Sequence, residues 1–110
     1  MACVDALIEK RIQIALAIVS RYAKVVSAYV FGSQVEGTTD QWSDIDIAVF
    51  IDEFESWDIH TRARIAAKVQ KGAGDDIDVH FLSIDALQER DAAGFAAWVL
   101  NRGVEVRMQG

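Results

Sequence analysis

The chain has 110 residues, 52% hydrophobic and 25% charged, and eleven basic against seventeen acidic residues leave a net charge of −6. That length and balance suit one globular domain, expected to span residues 1–110. They exclude a disulfide scaffold, since Cys3 stands alone. They also exclude a membrane span of about 18 apolar residues, and they argue against a direct grip on nucleic acid, which needs a basic footprint.

Residues 4–24 read as a helix. Ile8, Ile12, Ala15, Leu16 and Val19 fall on one face, with Leu7, Ile14 and Ile18 on a flanking stripe. So wide an apolar arc suits a helix packed on a sheet and on a neighbouring helix; the alternative is that one stripe faces a partner chain. Lys10 and Arg11 before an apolar run superficially match a signal peptide. Asp5, Glu9 and Gln13 interrupt the pattern and no small-residue cleavage site follows, so a cytoplasmic protein is expected.

Residues 25–32 alternate and are rich in strand formers, with Val26, Ala28 and Val30 expected on one side. A helical turn is expected over 33–36 and a polar loop over 37–43. Residues 44–51 are the clearest strand: Ile45, Ile47, Val49 and Ile51 point one way, Asp44, Asp46, Ala48 and Phe50 the other. Residues 57–71 read as a helix ended by Gly72 and Gly74. A third strand over 76–82 sends Ile77, Val79 and Phe81 one way and Asp76, Asp78 and His80 the other. Ser83 is expected to cap a short helix over 84–90, and Asp91 another over 92–101, before a short strand or extended tail over 104–108. The class is mixed α/β or α+β, a small sheet flanked by helices.

Three carboxylates are out of place in this pattern. Asp44 and Asp46 leave the same face of one strand, and Asp78 stands on another. If the strands are neighbours, three like charges converge and repel unless a cation sits among them. A hard divalent ion that prefers oxygen, Mg²⁺ or Mn²⁺, is the natural occupant. Upstream, Gly32 closes a strand where a phosphate can approach the backbone, and Ser33 adds a hydroxyl at what reads as a helix start.

Gly32-Ser33, ten residues, then Asp44-Ile45-Asp46 resembles the G-S-x10-D-x-D signature of the polymerase-β-type nucleotidyltransferase superfamily. The surrounding FGSQVEGTTDQWSDIDIAVF is similar to its minimal nucleotidyltransferase (MNT) branch. The resemblance implies that Gly32 and Ser33 hold the outer phosphates of a nucleoside triphosphate. It implies that Asp44 and Asp46 ligate metal ions, and that Asp78 ligates the second metal beside the acceptor hydroxyl. The implied reaction is two-metal-ion transfer of a nucleoside monophosphate, AMP from ATP, with pyrophosphate leaving. Relatives often carry arginine after the serine; Gln34 stands there, removing a phosphate contact.

Other residues have plainer readings. Asp76 is a second candidate for the third acid, since Asp76-Ile77-Asp78 repeats the D-x-D pattern without its glycine-serine. His80 shares the face of Asp78 and reads as a structural histidine, with a place near the acceptor as the alternative, and His60 as a helix-surface residue. Trp57 and Trp98 read as packing residues. Trp42 either shields its loop or stacks on a base. Asp52, Glu53, Glu55 and Asp58 form a solvated loop and helix start.

A chain this short lacks the walls that larger relatives build around a small acceptor. The resemblance therefore implies a partner that brings the acceptor, a HEPN-type helical protein in a toxin–antitoxin pair. Two other readings stand beside it: a non-catalytic antitoxin or binding module of the same fold, and an aminoglycoside-type transferase completed by homo-oligomerisation.

Overall fold

The computed structural model describes residues 6–32, 44–87 and 94–107. Helix α1 covers Ala6–Val19, strand β1 Val25–Phe31 and strand β2 Ile45–Ile51. A 3₁₀ turn follows at Phe54–Ser56, then helix α2 at Ile59–Ala73 and strand β3 at Ile77–Ser83. A second 3₁₀ turn at Ile84–Leu87, helix α3 at Phe95–Arg102 and the short strand β4 at Val104–Glu105 complete the order.

The sheet runs β3-β2-β1-β4. β1 pairs antiparallel with both β2 and β4, and β2 pairs parallel with β3. A parallel pair needs a long crossover, and α2 supplies it.

The apolar face of β2 is the centre of the main core. Ile45, Ile47, Val49 and Ile51 pack with Ile12, Leu16 and Val19 of α1, with Ile65 and Val69 of α2, and with Ile77. Only part of the wide arc of α1 is covered: Leu7 and Ile14 remain 68% and 40% exposed. The other face of β2 is also buried. Ala48 and Phe50 pack with Phe31 and Val99 in a second core under α3, joined by Leu82 and Leu100. The sheet thus lies between α1 and α2 on one side and α3 on the other.

Several boundaries differ from the sequence reading for identifiable reasons. α1 ends at Val19 rather than at 24; the Ser20 hydroxyl bonds back to the Leu16 carbonyl at 2.8 Å and a turn follows. Val26 faces outward, 42% exposed, because β1 carries a bulge: Val25 pairs with Ile51 and Ser27 with Phe50. The extra residue turns Val26 out while Val25, Ala28 and Val30 face the core. α2 starts later than expected because Asp58 caps it, its Oδ1 accepting from the Thr61 N–H at 2.7 Å. It then runs through Gly72 and ends at Gly74. α3 has Gly94 at its cap, not Asp91. Asp91, Cys3, Trp42 and the turn expected over 33–36 lie outside the described residues.

Candidate active site

The site stands on the α3 side of the sheet, where the hydrophobic pattern of β2 gives way to acids. Strand register builds it. In the parallel ladder Asp46 is directly beside Asp78, and Ala48 beside His80. Side chains at one rung of adjacent strands leave the same face, about 4.8 Å apart along the hydrogen-bonding direction. On the other flank, Phe31 is the antiparallel partner of Asp46. Gly32 follows Phe31 with φ 78°, in the left-handed region, so it lies against the same carboxylate.

A carboxylate oxygen of Asp46, one of Asp78 and a ring nitrogen of His80 all lie within 4.8 Å of one another. His80 Nε2 is 3.3 Å from Asp78 Oδ2 and 3.6 Å from Asp46 Oδ1. Nε2 is shut off from solvent and makes no hydrogen bond. The ring packs against a pair of aromatic rings, its centroid 5.2 Å from that of Phe31 and 5.7 Å from that of Phe95, which are 5.5 Å from each other, while the side chain as a whole stays 36% exposed. Asp46 is the deeper acid, its side chain 27% exposed, and Asp78 the outer one at 57%.

Burial pushes the Asp46 carboxyl above its ordinary range, and the negative charges of Asp78 and then Asp44 add to this; His80 opposes them. The like charges that the sequence suggests thus add to the effect of burial at Asp46. Asp44 is exposed, one residue before β2, and acts on Asp46 through its charge without joining the group of three. Ser33 and Gln34 lie outside the described residues.

Asp76 is turned elsewhere. Its carboxylate pairs with the Arg11 guanidinium of α1, and Arg11 Nε also donates to the Ala73 carbonyl at 3.0 Å. This holds the Asp76 carboxyl below the usual carboxylate range. The second D-x-D thus divides its labour: Asp76 ties α1 to the turn before β3, and Asp78 faces Asp46.

The donor set fits a divalent cation. Bonds of about 2.1 Å put cis donors about 3 Å apart and trans donors about 4.2 Å apart, and His80 Nε2 lies 3.3 and 3.6 Å from the two carboxylates, within that range. His80 stands on the face that the sequence pattern assigns to it, beside Asp78 and Asp46. The signal was the two-residue step from Asp78 to His80, which puts both on one side of one strand.

A mixed sheet that sets a glycine-ended strand beside two in-register carboxylates, under covering helices, is the architecture expected of a nucleotidyltransferase. The chain belongs to the polymerase-β nucleotidyltransferase family: the family model described as "Polymerase beta, Nucleotidyltransferase" matches residues 13–94. Among solved structures, a predicted nucleotidyltransferase from Sulfolobus solfataricus is similar in fold. It has a TM-score of 0.52 and 20% identity over 80% of this chain and 83% of that one. A toxin–antitoxin structure with AMP-PNP is similar with a TM-score of 0.59 and 26% identity, over 92% of this chain and 73% of that one. No curated protein sequence matches the chain.

Proposed function

We propose that the protein transfers a nucleoside monophosphate, AMP from ATP, to a hydroxyl on a partner protein of HEPN type. The observation that carries this reading is the in-register pairing of Asp46 with Asp78 beside Gly32. It supports a metal–triphosphate cradle rather than a solvated strand face. Among the described residues, no helix is long and apolar enough to cross a membrane. The exposed Leu7 and Ile14 on α1 suit a protein partner, and a toxin–antitoxin structure is among the fold neighbours.

In this reading Gly32 and Ser33 receive the outer phosphates, and Asp44, Asp46 and Asp78 hold Mg²⁺ or Mn²⁺. Divalent ions bound there supply the positive charge that offsets the charge building on the phosphoryl oxygens. The acceptor oxygen attacks the α-phosphorus. The bond to the bridging oxygen of the β-phosphate breaks, and pyrophosphate leaves with the electron pair. Asp78, the outer acid, takes the hydroxyl proton. Asp46, deeper and crowded, keeps the ion in place.

The test is incubation of the chain with α-labelled ATP, Mg²⁺ and the helical partner. Label is expected on the partner with wild type and absent with Asp46→Asn. A variant that still neutralises the partner without label transfer, together with a wild type that transfers none, makes the chain a binding module instead.

A further inference from the structure

We infer that His80 Nε2 is a ligand to the ion held by Asp46 and Asp78, and that this nitrogen makes the site prefer a first-row transition ion over Mg²⁺. The inference rests on the reading above that these carboxylates hold a divalent cation. Three observations carry it beyond that reading. Nε2 is shielded from water and has no hydrogen-bond partner, which is costly for a polar atom unless something else satisfies it. It lies 3.3 and 3.6 Å from the two carboxylates. These separations are long for a charge-assisted N–H···O bond of about 2.7–2.9 Å, but ordinary for two donors sharing one ion. The ring is also backed by protein: Phe31 and Phe95 pack together against it, and the small Ala48 is its neighbour on the next strand.

The rival role is a protonated imidazole serving as counter-ion to two acids. The two roles predict opposite effects of deletion. A ligand lost weakens ion binding. A competing cation lost strengthens it. Ion identity separates them further. Mg²⁺ binds oxygen and sheds water reluctantly, so a ring nitrogen adds little for it. Along the first-row series nitrogen donors add progressively more, so Co²⁺ gains more than Mn²⁺.

The experiment is equilibrium binding of Co²⁺, Mn²⁺ and Mg²⁺, each alone, to wild type, His80→Phe and Asp46→Asn. The visible spectrum of the Co²⁺ form is recorded in parallel. His80→Phe keeps a ring against Phe31 and Phe95, and His80→Ala is the second variant should it fail to fold. Wild type is expected to bind in the order Co²⁺, Mn²⁺, Mg²⁺. Loss of the nitrogen is expected to weaken Co²⁺ about tenfold or more, to change its spectrum, and to move Mg²⁺ little. An unchanged Co²⁺/Mg²⁺ ratio and spectrum overturns the inference and leaves the carboxylate site standing. Tighter binding of both ions by the variant overturns it in favour of the counter-ion. Wild type that binds none of the three ions, or binds them no better than Asp46→Asn, overturns the carboxylate site itself.

Discussion

The Asp46 carboxylate occupies the space that a side chain at residue 32 would need. A Cβ on Gly32 would lie 2.7 Å from Asp46 Oδ2, and φ at Gly32 is 78°. The glycine of the glycine-serine pair therefore serves the acid as well as any phosphate. Gly32→Ala is expected to cost about 1–3 kcal/mol in backbone strain and displacement. It should also weaken divalent-ion binding, read by calorimetry, although residue 32 offers no side-chain donor.

Removing the charge of Asp46 should stabilise the ion-free protein at neutral pH. Its carboxyl is pushed up in the fold, so the folded chain binds that proton more tightly than the unfolded chain. Stability from this group is present at low pH and is lost as pH rises from the unfolded value of 3.8 through the folded one. Thermal melts of Asp46→Asn should lie a few degrees above wild type at pH 7 and converge with it in acid. Saturating Mn²⁺ should raise the wild type and not the variant. Equal responses of the two proteins would show that the ion binds elsewhere.

Asp76 should behave in the opposite way. Arg11 holds its carboxyl down, so the pair's stabilisation is present above pH 3.8 and is lost as pH falls through the lowered folded value. The Asp76 side chain is 45% exposed, and screening limits the pair to about 0.5–1 kcal/mol. Asp76→Asn should flatten the acid limb of the stability curve, measured by urea unfolding at several pH values. Its ion affinity should match wild type, which separates this acid from Asp78.

Gly74 carries a related constraint. Its φ is 136°, and a Cβ there would collide with the Arg11 guanidinium. Gly74→Ala should lose the pairing with Asp76 and about 1–2 kcal/mol more for the backbone conformation. Adding Arg11→Ala should then cost less than it does in wild type, a non-additivity that a double-mutant cycle reads directly.

The core under α3 should be as intolerant as the main one. Phe50 is fully buried, edge-on to Tyr29 at 6.0 Å, and packs in the cluster that contains Val99. Phe50→Ala should cost about 3–5 kcal/mol, a large share of the stability of a chain this size. Chemical denaturation of the variant should show a sharply lowered midpoint.

The sequence made the elements legible wherever one periodicity dominated. β2 alternates over its whole length, and α2 has a capping acid at one end and glycine at the other, so both fall within a residue or two of expectation. The α3 face of β2 was harder to read. Ala48 and Phe50 share it with Asp46, and alternation alone cannot say that a helix covers one end while the other stays open for acids. The bulge at Val26 left no mark in composition, since valine suits either face of a strand. Asp46 and Asp78 were legible from their placement on strands. The surroundings of His80 were not, because it packs against Phe31 and Phe95, which come from distant parts of the chain. Asp76 and Asp78 look alike in sequence, and only Arg11, from the first helix, tells them apart.

The parallel rung between Asp46 and Asp78 has a kinetic consequence. The two acids are brought side by side only after the intervening α2 has been threaded across the sheet, and loop-closure entropy makes such a non-local pairing slow to form. An ion held by both acids is therefore expected to bind during refolding only once β2 and β3 are paired.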